Sequence, residues 1–203
     1  MTGIESITLE TPDPAALDAF HKAAFGPDLP VRARVGDAAT NGFRGFTLSL
    51  VVAQPSTVDA FVDAALQAGA TELKAPKKSL WGYGGSVTGP DGTIWTVASS
   101  SKKDRGPADH RIDEFILQLG VDDVAASKRF YVERGLQVTK SFGRKYVQFA
   151  DPSSPIILAL LNRGALAKNA GVAPEGSGSH RIVVNSPAGD FTDPDGFTWE
   201  AGR

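Results

Sequence analysis

Gly89-Pro90-Asp91-Gly92-Thr93-Ile94-Trp95-Thr96 and Asp193-Pro194-Asp195-Gly196-Phe197-Thr198-Trp199-Glu200 are one phrase written twice. Proline presets φ for the first corner of a turn. Aspartate suits the second corner, and glycine accepts the left-handed position that closes it. A short run carrying tryptophan follows each copy, so each copy reads as the tip of a β-hairpin. The copies differ at a position that matters for chemistry: Thr96 follows the first tryptophan and Glu200 the second. The repeat divides the 203 residues into two related halves.

Upstream of the first copy, Ile4, Ile7 and Leu9 punctuate a short strand, and Asp13-Pro14 is a helix cap with proline at the first helical position. Leu17, Phe20, Ala24 and Phe25 keep helical spacing until Gly26-Pro27. Val31, Ala33 and Val35 alternate with Arg32 and Arg34, a half-buried strand with a basic face. Residues 36–45 form a turn-rich link and 46–52 an apolar strand. Ser56 or Thr57 is the expected cap of a second helix bearing Val58, Phe61, Ala65 and Leu66, closed by Gly69. A strand at 71–73 and the stretch Trp81 to Val87 lead into the first hairpin.

Residues 99–108 hold no large apolar side chain and read as a linker, so the halves are 1–100 and 109–203 with a linker at 101–108. The pattern then restarts. Phe115, Leu117, Leu119 and Val121 alternate; Asp122 or Asp123 caps a helix with Val124, Ser127, Phe130 and Tyr131; Gly135 ends it. Val138, residues 146–149 and residues 156–161 give three strands. Residues 163–178 are irregular, with a turn of helix at 165–170, and 180–184 is the next strand. Only residues 185–193 precede the second hairpin, too few for a helix, so the last unit is truncated. The fold class is α+β.

A net charge of −2 gives no reason to expect a nucleic-acid partner. The absence of cysteine excludes disulfides, thiolate ligands and a cysteine nucleophile. No apolar run is long enough to span a bilayer and the first residues do not resemble a signal peptide, so a soluble, cytoplasmic protein without a membrane partner is expected. A monomer or a homodimer is compatible with the fused halves.

The strand and cap over 4–13, the strand and helix from Val121-Asp122-Asp123 to Phe130-Tyr131, and the two Pro-Asp-Gly-x-x-Trp hairpins resemble the vicinal oxygen chelate superfamily. That superfamily includes glyoxalase I, bleomycin-resistance proteins and extradiol dioxygenases. The resemblance implies tandem βαβββ modules of the glyoxalase/bleomycin-resistance/dihydroxybiphenyl dioxygenase type, the last one truncated, curling into cups around a small molecule. It places metal ligands early in the first strand of each module and just after the hairpin tryptophan. Ser6, Thr47 or a neighbour, Thr96 and Ile116 stand at such positions without being ligands. Only His180 and Glu200 fit, an imidazole and a carboxylate suited to Zn, Fe, Ni or Mn. The bland reading of that pair is a His–Glu hydrogen bond across adjacent strands.

Trp81 and Tyr83 read as an aromatic wall or as a packed edge, and Arg144 with Tyr146 as further ligand contacts or a solvated face. Trp95 and Trp199 read as core, and His21 as helix surface. The leading expectation is a small-organic-molecule binder without a complete family metal site and without a cofactor. One alternative is a metal-dependent lyase, isomerase or dioxygenase with a divalent ion on His180 and Glu200 in the C-terminal half. The other is a non-catalytic partner-binding scaffold.

Overall fold

The computed structural model describes residues 2–202. In chain order the elements are β1 (Ser6–Thr11), α1 (Pro14–Phe25), β2 (Val31–Val35), β3 (Thr40–Gly42), β4 (Phe46–Val51), α2 (Pro55–Gln67), β5 (Thr71–Ser79), β6 (Gly82–Thr88) and β7 (Ile94–Ser99). The second half continues with β8 (Glu114–Val121), α3 (Val124–Glu133), β9 (Val138–Phe142), β10 (Tyr146–Phe149), β11 (Ile157–Asn162), α4 (Arg163–Ala170), β12 (Gly176–Gly178), β13 (Ile182–Asn185), β14 (Phe191–Thr192) and β15 (Thr198–Glu200).

The helix starts follow capping chemistry. The Asp13 carboxylate accepts from the Ala16 amide at 3.0 Å, with Pro14 opening α1. Asp123 accepts from the amides of Ala125 and Ala126 and opens α3. The start of α2 differs from expectation. Pro55 opens it, because its fixed φ and missing N–H suit the first turn. The linker then supplies the missing cap, with Asp104 accepting from the Ser56 amide at 2.7 Å; just beyond it, Asp109 accepts from the Thr57 hydroxyl at 3.1 Å.

Both hairpins close alike. The Gly89 amide donates to Thr93 O at 2.8 Å and the Asp193 amide to Phe197 O at 3.0 Å. Gly92 and Gly196 take the left-handed position, at φ 85° and 89°. β7 runs parallel to β4, with Trp95 opposite Leu48, and antiparallel to β6. β15 runs parallel to β13, with Trp199 opposite Val184, and antiparallel to β14. The two tryptophans therefore hold equivalent topological places, and both are buried. No helix intervenes between β13 and β14.

Two sheets carry the fold. One has the order β14-β15-β13-β1-β2 and the other β5-β6-β7-β4-β8-β11-β10-β9. β1 pairs antiparallel with β13, and β4 with β8. Each sheet thus takes strands from both halves of the chain. The concave faces expected one to a half are built jointly: the first and last quarters share one, the two middle quarters the other. The core lies between the sheets, around the helices. Phe25 of α1 packs on Trp95 with ring centroids 4.4 Å apart. Tyr131 of α3 touches Phe149 of one sheet and Trp199 of the other. Among the described residues, no helix is long and apolar enough to cross a membrane.

His21 corrects the sequence reading. It is 4% exposed, its ring packs 5.3 Å from Trp95, and neither ring nitrogen has a hydrogen-bond partner. A helical period places it beside Phe20 and Phe25, but the first hairpin folds over that face. Burial pushes its pKa down, against the opposing pull of Asp91 and Asp18. Neutral His21 is favoured by folding, so its contribution is present above the unfolded histidine pKa of about 6.5 and is lost as pH falls below it. Urea midpoints at neutral and mildly acidic pH should show wild type losing more stability on acidification than His21→Leu. Equal losses would remove His21 as the cause.

Candidate functional site

Strand alternation decides what faces each concave surface. On the five-stranded sheet, Ile7 and Leu9 of β1 go to the core, so Ser6, Thr8 and Glu10 face outward. Register aligns Thr8 with Arg32 and Glu10 with Arg34 on β2, Ser6 with Asn185 on β13, and Asn185 with Glu200 on β15. Ser6, Thr8, Arg32, Arg34, Asn185 and Glu200, with Glu5 and Asp190, line a cup of about 630 Å³, and Glu10 is tied to it through Arg34.

Arg34 is its centre. Nη2 donates to Glu10 Oε1 at 2.7 Å, and Nη1 donates to both oxygens of Glu200 at 3.0 and 3.1 Å. Partial burial works against the guanidinium charge, but the hydrogen bonds to Glu10 and Glu200 outweigh it and raise the Arg34 pKa. The Asn185 carbonyl oxygen accepts from the hydroxyls of Thr8 at 2.8 Å and Ser6 at 3.3 Å. That fixes the side-chain amide, so its NH2 faces the cup.

His180 and Glu200 do not meet. The parallel register sets Glu200 beside Asn185, five residues further along the chain than His180. His180 stands before β13, stacked on Phe197 at 4.0 Å. Its Nδ1 donates to the carbonyl of Arg44, and its Nε2 lies 3.1 Å from the carbonyl of Asp195. Both ring nitrogens are engaged by backbone, and Glu200 is engaged by Arg34. The residue that does face Glu200 is Asn185, which the sequence reading passed over. Counting back along two parallel strands from Glu200 would have reached it. Among the described residues, no group of three or more His, Asp and Glu side chains is placed to hold a metal ion.

The eight-stranded sheet has its own concave face. Thr47 and Ser49 of β4, Thr96 of β7, and Ile116 and Gln118 of β8 lie on it, with the Thr47 hydroxyl donating to Gln118 Oε1 at 2.8 Å. Part of this face is filled by α4, which sets Leu166, Ala167 and Ala170 against Ile116, Ala159 and Leu161. The Ser86 hydroxyl and the Lys74 ammonium fasten the last carbonyls of α4. A cavity of about 410 Å³ remains.

Of the four candidate ligand contacts, Trp81 and Tyr83 line this cavity, and Arg144 and Tyr146 do not. Trp81 is 84% exposed at the cavity rim. Tyr83 turns its hydroxyl to the helix side, donating to Asp59 of α2 at 2.8 Å, and desolvation and that carboxylate push its pKa up to about 12. Tyr146, on β10, donates to Gln148 Oε1. Arg144 lies exposed in the turn between β9 and β10, at the far end of the sheet.

Among solved structures, glyoxalase I from Zea mays matches 98% of this chain and 91% of its own, with a TM-score of 0.61 and 14% identity. The chain has the vicinal oxygen chelate fold. A Bacillus subtilis protein described as a candidate dioxygenase matches 90% of this chain and 69% of its own, with a TM-score of 0.55 and 13% identity. No family model and no curated protein matches the sequence. In this vicinal oxygen chelate fold, the first-strand and post-tryptophan positions meet as Ser6, Asn185 and Glu200 in one cup and as Ser49, Thr96 and Ile116 in the other. Hydroxyl, amide and alkyl groups are poor ligands for a transition ion, and the one carboxylate already holds a guanidinium.

Proposed function

We propose that this chain binds a small polar organic molecule in the five-stranded cup without using a metal ion. The observation that carries the reading is the clamp of Arg34 on Glu10 and Glu200. The clamp meets the charge need of Glu200 from within the chain and leaves the Asn185 NH2, Arg32 and Glu5 free to contact a guest, while Asp190 accepts from the Ala201 amide. Four carboxylates face two guanidiniums in and around this cup, so a ligand bearing amine and hydroxyl groups is favoured.

A ligand that binds only the folded state raises the unfolding midpoint by mass action. In a panel of amino sugars and hydroxylated amines, at least one compound should raise the midpoint of wild type equally with and without EDTA. That shift should vanish in Asn185→Leu and Glu200→Gln. A shift that appears only with added Zn, Ni, Mn or Fe would replace this reading with that of a metal-dependent enzyme.

A further inference from the structure

We propose that the cavity left open on the eight-stranded sheet is a second ligand site, one that takes a small planar organic carboxylate. It stands apart from the reading of the five-stranded cup, because the two sites share no residue.

The charge argument comes first. Two lysines line this cavity, Lys74 and Lys77, and no acidic residue does. Lys74 lies opposite Ser86 and Lys77 opposite Gly84. Ser86 bonds α4 on the concave side, so alternation sends both lysines to that side. The Lys74 ammonium is committed to the carbonyls of Lys168 and Asn169. Lys77 has no ion pair or hydrogen bond among the described residues. The cavity therefore presents one uncommitted cation and no competing anion.

The floor supplies directional donors. Ser49 lies opposite Thr96, and Gln118 lies two pairs further along the sheet on the same face, opposite Thr47. Gln118 has its carbonyl oxygen taken by Thr47, which leaves its NH2 free. The hydroxyls of Ser49 and Thr96 bond to no protein group among the described residues, although Ser49 is only 6% exposed. Hydroxyls, an amide NH2 and an ammonium converging on one space suit a carboxylate, since donors to an ionised acceptor form the stronger hydrogen bonds.

Shape sets the rest of the ligand. β6 contributes Gly82, Gly84 and Gly85, so that part of the wall is bare backbone on which a flat ring can lie. Trp81 stands at the mouth with most of its indole in solvent, and an aromatic guest would cover it. α4 closes the far end, so the site admits one or two rings and excludes a long chain.

The probes are 2-naphthoate and its neutral isostere 2-naphthamide, titrated by calorimetry into the full chain. Wild type should bind one naphthoate, and naphthamide about tenfold or more weaker, a difference of about 1.4 kcal/mol. Lys77→Gln should lose about tenfold for naphthoate, while Lys77→Arg keeps the affinity and shows that the strand is intact. Arg34→Gln, in the other cup, should leave naphthoate binding unchanged. The proposal is overturned if naphthoate does not bind wild type, if the two probes bind equally, or if Lys77→Gln has no effect. Loss of naphthoate binding in Arg34→Gln would also overturn it, by moving the probe to the five-stranded cup.

Discussion

Trp95→Ala is expected to destabilise the fold by about 3–5 kcal/mol, the range for emptying a buried aromatic site. Trp95 is fully buried and packs on Phe25, His21 and Phe115, which come from α1 and β8. Those contacts bridge the first, second and third quarters of the chain, so no single segment can collapse to fill the void. The indole N–H has no partner, so the loss is one of apolar burial and packing and includes no hydrogen bond. Trp199→Ala should cost a similar amount, because Trp199 is 1% exposed and packs on Tyr131 and Phe191 in the equivalent place. Urea unfolding followed by far-ultraviolet circular dichroism measures both without relying on the deleted fluorophore. A whole domain is stable by only about 5–15 kcal/mol, so either variant is expected to be close to unfolding. A loss below about 1 kcal/mol for either would mean that its hairpin is not anchored through the indole.

The features that were legible in the sequence are local. Pro-Asp-Gly announced both hairpins, and Asp13 and Asp123 announced two helices, because a turn or a cap is decided within four residues. The pairing of β1 with β13 joins residues almost a chain length apart, and nothing near Ile7 or Val184 encodes it. The site was misread for the same reason. His180 was an attractive partner for Glu200 by residue type, but which β13 residue faces Glu200 depends on register, and register chose Asn185. The occupation of the second concave face by α4 was equally hidden. Leu166, Ala167 and Ala170 make an ordinary apolar stripe on a short helix, and what that stripe covers is a tertiary fact.

Arg34→Ala is expected to give the five-stranded cup an affinity for Mn2+ about tenfold or more above that of wild type, as oxygen-rich sites favour hard cations. In the native chain one guanidinium bridges Glu10 and Glu200 and offsets part of their charge. Truncation removes it and leaves two carboxylates facing a common space, beside the hydroxyls of Ser6 and Thr8 and the amide of Asn185. Neighbouring carboxylates repel, and a divalent cation relieves that repulsion. Without metal the variant should lose no more than about 1 kcal/mol, because both ion pairs are partly open to solvent and such pairs contribute little. Arg34→Lys keeps a cation in place and should gain no Mn2+ affinity. The comparison is read by calorimetric titration of the three proteins with Mn2+. If Arg34→Ala binds no better than wild type, Glu10 and Glu200 do not share a focus, and charge compensation by Arg34 is not why this cup works without a metal. If it binds and Arg34→Lys does not, a single arginine on β2 accounts for the difference between this cup and a metal-holding one.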